Sequence, residues 1–481
     1  MTELQDARTT QNDDDAERSP STHPAASAAS AASSASSASA ASAASSEPSL
    51  SPDEVSVPSL SPDELTEAVH SITDRARAAS RVLGRATRAR KDRALLAIAE
   101  AIVARRDVVL AANRADVERG RAAGTSDYLL DRLTLDPGRI DGLSAALAQL
   151  AALPDPVGTA VRAETLPNGL RMRQVRVPLG VVAAIYEARP NVTVDIAGLA
   201  LKSGNAVVLR GGSAAQATNA ALIGIIRDTL EDHGLPDDTV LTIDEYGRAG
   251  AQVLMAARGR IDVLIPRGGR DLIQSVVTTA RVPVIETGEG NVHILLDASA
   301  DEEMAVDLLL NAKTQRPSVC NTVETLLVHS RSAAAPGVLA ALVRAGVTLH
   351  VDDRARALLP EGTDAPAATE DDWGREYMQL DLAVRTVDSV DEALTHIRRW
   401  STGHSEAIIT NDLSASEEFV AGVDSAAVLV NASTRFVDGG ELGLGAEVGI
   451  STQKMHARGP MGLSELTTTK WIVQGEGQIR R

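Results

Sequence analysis

The 481 residues are 44% hydrophobic and carry a formal net charge of −18 at pH 7. That length allows two or three domains, and the acidic excess argues against nucleic acid or an anionic membrane as partner, because both need a cationic face. A single cysteine excludes an internal disulfide and fits a reducing, cytoplasmic setting, while no apolar run reaches the roughly 20 residues of a membrane helix.

Residues 1–60 differ from the rest. Between 25 and 46 the chain is nearly all Ala and Ser, preceded by Asp13-Asp14-Asp15. Large apolar side chains are scarce there, so nothing offsets the entropy of ordering, and the segment reads as a disordered, low-complexity tail. A helix formed by the Ala run is the alternative. Ser51-Pro52-Asp53-Glu54 then recurs as Ser61-Pro62-Asp63-Glu64. Each copy has the spacing of a capping box with Pro at the first helical position. The second leads into a helical pattern over 65–83, where the folded protein is expected to begin.

From 65 to about 153 the pattern stays helical and rich in Ala, Leu and Arg. The stretch 161–175 alternates around Asn168-Gly169, a strong hairpin signal. It reads either as an oligomerisation arm or as an ordinary surface hairpin. After Pro178, strands are expected at 180–185, 206–209, 240–243, 263–265 and 282–285, with helices at 192–201 and 214–230. Such alternation makes a parallel sheet covered on both faces. A second alternating region runs from His293 to about Thr468. The fold class is α/β.

A nucleotide-binding sheet is expected, yet Gly-x-Gly-x-x-Gly follows none of these strands. Two other Gly-rich turns stand at strand ends. They are Arg210-Gly211-Gly212-Ser213 and Arg267-Gly268-Gly269-Arg270. Either turn is able to bring backbone N–H groups and a guanidinium to a phosphate, or to serve only as a tight turn. The lone cysteine, Cys320, lies in Asn311-Ala312-Lys313-Thr314-Gln315-Arg316-Pro317-Ser318-Val319-Cys320-Asn321-Thr322. An isolated cysteine is commonly a small buried apolar residue. Cationic and hydrogen-bonding neighbours instead predict a lowered thiol pKa and a nucleophile. His404 and His456 have no spaced ligand partners, so no metal site is expected.

Several ordered blocks carry a resemblance. They include Val177-Pro178-Leu179-Gly180-Val181-Val182, Tyr186-Glu187-Ala188-Arg189-Pro190-Asn191-Val192 and Leu201-Lys202-Ser203-Gly204-Asn205-Ala206. With them go the Cys320 segment, Thr402-Gly403-His404-Ser405-Glu406, Asn431-Ala432-Ser433-Thr434-Arg435-Phe436, and Gly443 to Thr452 through Arg458-Gly459-Pro460-Met461-Gly462. From about Leu65 to the C-terminus the chain resembles the γ-glutamyl phosphate reductases of the aldehyde dehydrogenase superfamily. Trp400 departs from the Tyr or His expected in the segment leading to His404.

The resemblance implies two parallel-sheet α/β domains and a small β-hairpin oligomerisation element. An NADP-binding domain would comprise 61–160 and 178–290, a catalytic domain 291–462, and the arm 161–177 and 463–481. The implied reaction reduces L-glutamyl 5-phosphate with NADPH to glutamate 5-semialdehyde, a step of proline biosynthesis, through a thioester on Cys320. Asn191 matches the superfamily's oxyanion Asn, or is only a turn residue after Pro190. Glu286 matches the Glu that activates water in hydrolytic members, although here water must not compete with phosphate. Glu376 resembles the carboxylate that holds the cofactor ribose, with a surface Glu as the plain alternative. Arg210, Gly211, Gly212, Ser213, Arg267, Gly268 and Gly269 would hold the cofactor. Ser213 replaces a superfamily Glu that repels a 2′-phosphate, which implies a preference for NADP. Arg435 and Arg458 would hold the substrate phosphate or α-carboxylate, since guanidinium forks match both, unless they form only structural ion pairs. A homo-oligomer is implied. The rival readings are a hydrolytic aldehyde dehydrogenase and an inactive scaffold that uses the tail.

Overall fold

The computed structural model describes residues 60–187 and 189–480. The Ala/Ser tail and the first copy of the repeat lie outside the described residues. The second copy forms the cap read from the sequence. Ser61 accepts from the Glu64 backbone, Glu64 reaches back to the Ser61 amide at 2.8 Å, and Pro62 opens the helix Pro62–Leu83. Four more helices follow, Arg88–Ala104, Arg106–Ala122, Asp127–Leu133 and Pro137–Ala152.

The hairpin consists of β1 (Ala160–Thr165) and β2 (Arg171–Pro178), with Gly169 at φ +83° in the turn. Then come β3 (Val181–Tyr186), β4 (Ala206–Arg210), β5 (Val240–Thr242) and β6 (Val263–Arg267), a parallel sheet in the order β5-β4-β3-β6. Strand β3 shows why both faces are covered. Val182, Ala184 and Tyr186 pack into a core with the helices Arg88–Ala104, Pro137–Ala152 and Pro190–Ser203. Val181, Ala183 and Ile185 pack into another with Pro62–Leu83 and Gly247–Ala256.

The strand expected at 282–285 does not form. Val284 makes only an isolated bridge to Leu264. Pro283 accepts from the Leu264 amide at 2.8 Å, but it has no N–H with which to extend a ladder.

The second sheet contains β7 (Val292–Leu296), β8 (Val323–His329), β9 (Thr348–Val351), β10 (Asp381–Val387), β11 (Ser405–Ile409) and β12 (Ala427–Val430). Its order is β12-β11-β7-β8-β10-β9, all parallel. A short antiparallel pair, β13 (Gly449–Ser451) and β14 (Gly459–Met461), follows. Finally β15 (Thr467–Gln474) returns to pair antiparallel with β2, making a three-stranded sheet β1-β2-β15. The resemblance groups 463–481 with the hairpin; residues Thr467–Gln474 pair with β2. Among the described residues no helix is long and apolar enough to cross a membrane.

Candidate active site

The helix Glu302–Thr314 ends ahead of Pro317, and β8 starts at Val323, so Cys320 sits on a short irregular turn between them. Side-chain hydrogen bonds hold that turn. Thr322 Oγ1 donates to the Arg316 carbonyl at 2.8 Å. Asn321 Nδ2 donates to the Val437 carbonyl at 2.9 Å, and Thr434 Oγ1 donates to the Asn321 carbonyl at 2.7 Å. The last two clasp the Cys320 loop to the 3-10 turn Thr434–Phe436, which carries Arg435. Arg435 Nε donates to Gln315 Oε1 at 2.9 Å, and its charge reaches Cys320.

From the other side Gly290 is packed onto the Cys320 backbone. A Cβ built there would overlap the Cys320 carbonyl and stand 2.8 Å from its Cα. The Gly290 amide donates to Glu376 Oε1 at 3.1 Å. The sequence signals that reach the thiol are thus Arg435, Glu376 and Arg267, while Gly290 was not legible as a site residue at all.

The charge around the thiol differs from the local sequence. Lys313 does not serve Cys320: it is fully buried and donates to Glu324 at 2.6 Å. Burial, then the Glu376 and Glu447 carboxylates, push the thiol up to about 12, and Arg267 opposes them. The resting protein therefore keeps Cys320 as a thiol. Alkylation of the free protein is expected to be slow at pH 7 and to accelerate through the alkaline range with no inflection below about pH 9. The iodoacetamide rate against pH checks this; an inflection near pH 7 would contradict it.

Asn191 is the second residue of the helix Pro190–Ser203, and its Nδ2 donates to Asp195 Oδ2 at 3.3 Å. Burial raises Asp195 to about 6, against the pull of Asn191 and Arg267. Arg267 lies in the field of Asp195, Cys320 and Glu447. It thus connects Asn191's helix to the thiol, although its sequence reading placed it with the cofactor. Asp195 and Glu447 were missed. The one-turn spacing from Asn191 was a signal for the first, and the 443–452 block a signal for the second. Glu286 is held by Gln453, whose Oε1 accepts from the Glu286 amide at 3.1 Å and whose Nε2 donates to Glu286 Oε2 at 3.3 Å.

The two Gly-rich turns stand at the carboxyl ends of β4 and β6, the end of a parallel sheet where ligands bind. Gly211 has no room for a side chain beside Asn219 and Tyr186, and its amide donates to Asp244 at 2.7 Å. The Gly269 amide donates to Glu187 Oε2 at 3.1 Å, and Gly268 packs on that carboxylate. Each turn therefore already engages one backbone donor with a carboxylate. Arg210 Nε, however, is buried with no hydrogen-bond partner among the described residues, and Ser213 is exposed. The exposed, small Ser213 leaves room at the end of β4, three residues from the Arg210 guanidinium.

Arg458 Nη2 donates to the Asp424 carbonyl and carboxylate, both at 3.0 Å, and Asp424 also pairs with Lys454. These partners belong to a separate ion-pair cluster rather than to the Cys320 loop. Trp400 lies under Arg399 at 4.5 Å, and its carbonyl accepts from Asn291 Nδ2 at 2.9 Å, so it packs. His404 is buried and pushed down to about 4 by burial; His456 is exposed. Among the described residues no three His, Cys, Asp or Glu side chains group as a metal site.

Comparison with known proteins agrees with this architecture. The aldehyde dehydrogenase family matches residues 39–370. The chain is 59% identical over 417 residues to the γ-glutamyl phosphate reductase of Kineococcus radiotolerans, covering 86% of this chain and 96% of that protein. It is 60% identical over 415 residues to that of Leifsonia xyli subsp. xyli, covering 85% and 98%. The crystal structure of γ-glutamyl phosphate reductase from Thermotoga maritima superposes with a TM-score of 0.83 at 45% identity, covering 86% of this chain and all of that one. The chain belongs to the γ-glutamyl phosphate reductases of the aldehyde dehydrogenase family.

Proposed function

We propose that this chain reduces L-glutamyl 5-phosphate to glutamate 5-semialdehyde and phosphate with NADPH, in proline biosynthesis, through a thioester on Cys320. The observation that carries the reading is the Cys320 turn itself, in a chain close to 60% identical to curated γ-glutamyl phosphate reductases. It is clasped to the Arg435 turn on one side and to Gly290 and Glu376 on the other.

The Cys320 sulfur attacks the acyl carbonyl as its thiol proton is lost, the bond to the phosphate oxygen breaks, and phosphate leaves carrying that proton. NADPH, when bound, supplies the hydride that turns the thioester into a thiohemiacetal. Collapse of the thiohemiacetal restores Cys320 and releases the aldehyde. A thioester accepts hydride where a carboxylate would not, which is why the acyl group is first moved to sulfur. Arg435 beside the thiol suits the departing phosphate or the substrate carboxylate. The Cys320 amide and Asn191 are the oxyanion donors, with Asp195 and Arg267 around Asn191. Arg458, engaged by Asp424, is the weaker substrate ligand of the two arginines. Glu286 steadies its loop through Gln453.

The first sheet, with its preceding helices, takes the cofactor, and the second carries the nucleophile. Arg210, Gly212 and Ser213 would hold the 2′-phosphate of NADPH, the Gly268-Gly269 turn would offer backbone N–H groups to its phosphates, and Glu376 would hold a cofactor ribose. Ser213→Glu is expected to lower kcat/KM for NADPH at least tenfold while changing that for NADH less than threefold. Equal losses with both cofactors would refute the reading of this turn. The sheet β1-β2-β15 leaves Val161, Trp471 and Val473 about half exposed, which supports its role as a contact between copies. A cytoplasmic setting goes with the biosynthetic role.

The deciding assay follows NADP⁺ reduction with glutamate 5-semialdehyde, with and without phosphate. Turnover is expected to require phosphate. Phosphate-independent formation of glutamate would favour a hydrolytic dehydrogenase instead.

A further inference from the structure

Lys313 and Glu324 form an ion pair with no solvent exposure on either side chain, 2.6 Å between Nζ and Oε2. Lys313 Nζ also donates to the Val323 carbonyl at 3.0 Å. A buried pair of this kind is weak evidence for stability, because desolvation consumes most of its attraction. Its location is more informative. Lys313 lies in the last turn of the helix that leads to Cys320, and Glu324 is on the strand that leaves it.

The other oxygen of Glu324 faces a different segment. Oε1 accepts from the Met378 amide at 3.3 Å, and Met378 is one of two non-glycine residues among those described with positive φ, at +58°. Such a conformation persists only where surrounding contacts impose it. The preceding residue, Tyr377, is fixed as well. Lys313 Nζ lies 5.9 Å from its ring centroid, His350 stacks on it at 5.1 Å, and its hydroxyl donates to Asp372 at 2.7 Å. The next residue back is Glu376, whose Oε1 accepts from Gly290 at 3.1 Å. Gly290 in turn lies against the Cys320 carbonyl.

We propose that Lys313 and Glu324 are positioning residues that fix the Glu376–Met378 segment and thereby hold the Glu376 carboxylate on the Gly290 amide beside Cys320. The pair touches neither substrate nor cofactor. It acts by tying the two chain segments that flank the nucleophile to the one that carries Glu376. This rests on the reading of Cys320 as the nucleophile, but its test does not require turnover.

Cys320 is the only cysteine, so its alkylation rate reports on its surroundings directly. The Glu376 anion opposes ionisation of the thiol. Glu376→Gln is therefore expected to speed labelling by iodoacetamide at pH 8 at least threefold. The double variant Lys313→Met with Glu324→Leu removes both charges together, leaving none uncompensated. Releasing Glu376 from Gly290, it is expected to speed labelling by a similar factor. In the Glu376→Gln background the same double change is expected to alter the rate less than 1.5-fold, because the group through which the pair acts has lost its charge. Equal acceleration in both backgrounds, no acceleration in the otherwise native protein, or no effect of Glu376→Gln would each overturn the proposal. Should the apolar pair not fold, Lys313→Gln with Glu324→Gln keeps volume and a neutral hydrogen bond, and the same comparison applies. Absent glutamyl phosphate reductase activity alongside the expected labelling pattern would sink the functional reading and leave this one standing.

Discussion

Cys320→Ser is expected to lower turnover by roughly ten-thousand-fold or more while the protein stays folded and still binds NADPH. The turn is held by Asn321, Thr322 and Thr434, not by the sulfur, so exchanging one atom leaves its hydrogen bonds in place. What changes is the nucleophile. A serine alkoxide scarcely forms near neutral pH, and the surroundings that already push the thiol up to about 12 would oppose an alkoxide as well. Thermal melting and NADPH fluorescence check the fold and binding; NADP⁺ reduction checks the chemistry. In the native protein, glutamate 5-semialdehyde and NADP⁺ without phosphate should leave a thioester on the Cys320 peptide, visible by mass. Phosphate, or arsenate in its place, should discharge it. A Ser variant that keeps a substantial fraction of activity would refute covalent catalysis by Cys320.

Gly290→Ala is expected to cost about a hundredfold in kcat/KM, although it adds one methyl group outside the reacting atoms. That methyl would overlap the Cys320 carbonyl, and backbone cannot rotate aside as a flexible side chain does. The Cys320 turn must then shift by the order of an ångström, and misplacement on that scale removes about two orders of magnitude from a positioned reaction. Overpacking of this kind also destabilises by about 1–3 kcal/mol. Activity should therefore fall far more than the melting temperature. A variant with native kcat/KM would mean that the Gly290 contact does not set the position of Cys320.

Much of this protein was legible before any coordinates. The capping box at Ser61 and Glu64 is a local reciprocal interaction, so four residues suffice to place the start of the fold. Asn168-Gly169 fixed the hairpin for the same reason, since the turn needs a residue with positive φ. Strands β3, β4 and β6 were visible as short apolar runs because parallel strands are buried on both faces. The strand expected at 282–285 failed because one proline interrupts the ladder within an apolar run. Cys320 and Arg435 were legible through ordered blocks that match a family.

The electrostatics of the site were not legible, because charge in the folded protein depends on which segments meet. Lys313 precedes Cys320 by less than two helical turns in sequence, yet the sheet gives it to Glu324. Glu376 and Glu447, distant in sequence, are the charges the thiol feels, and Arg267 reaches it from the other parallel sheet. The sequence by itself determined the α/β class, the local caps and turns and the family, and it singled out Cys320 as the candidate nucleophile, all carried by short-range pattern or contiguous blocks. Only the tertiary structure decided that carboxylates rather than Lys313 surround the thiol, that Gly290 abuts its backbone, and that the Lys313–Glu324 pair lies against the Glu376–Met378 segment. Desolvation and backbone approach arise between segments roughly 40 to 400 Å of extended chain apart, and no spacing along the chain encodes them.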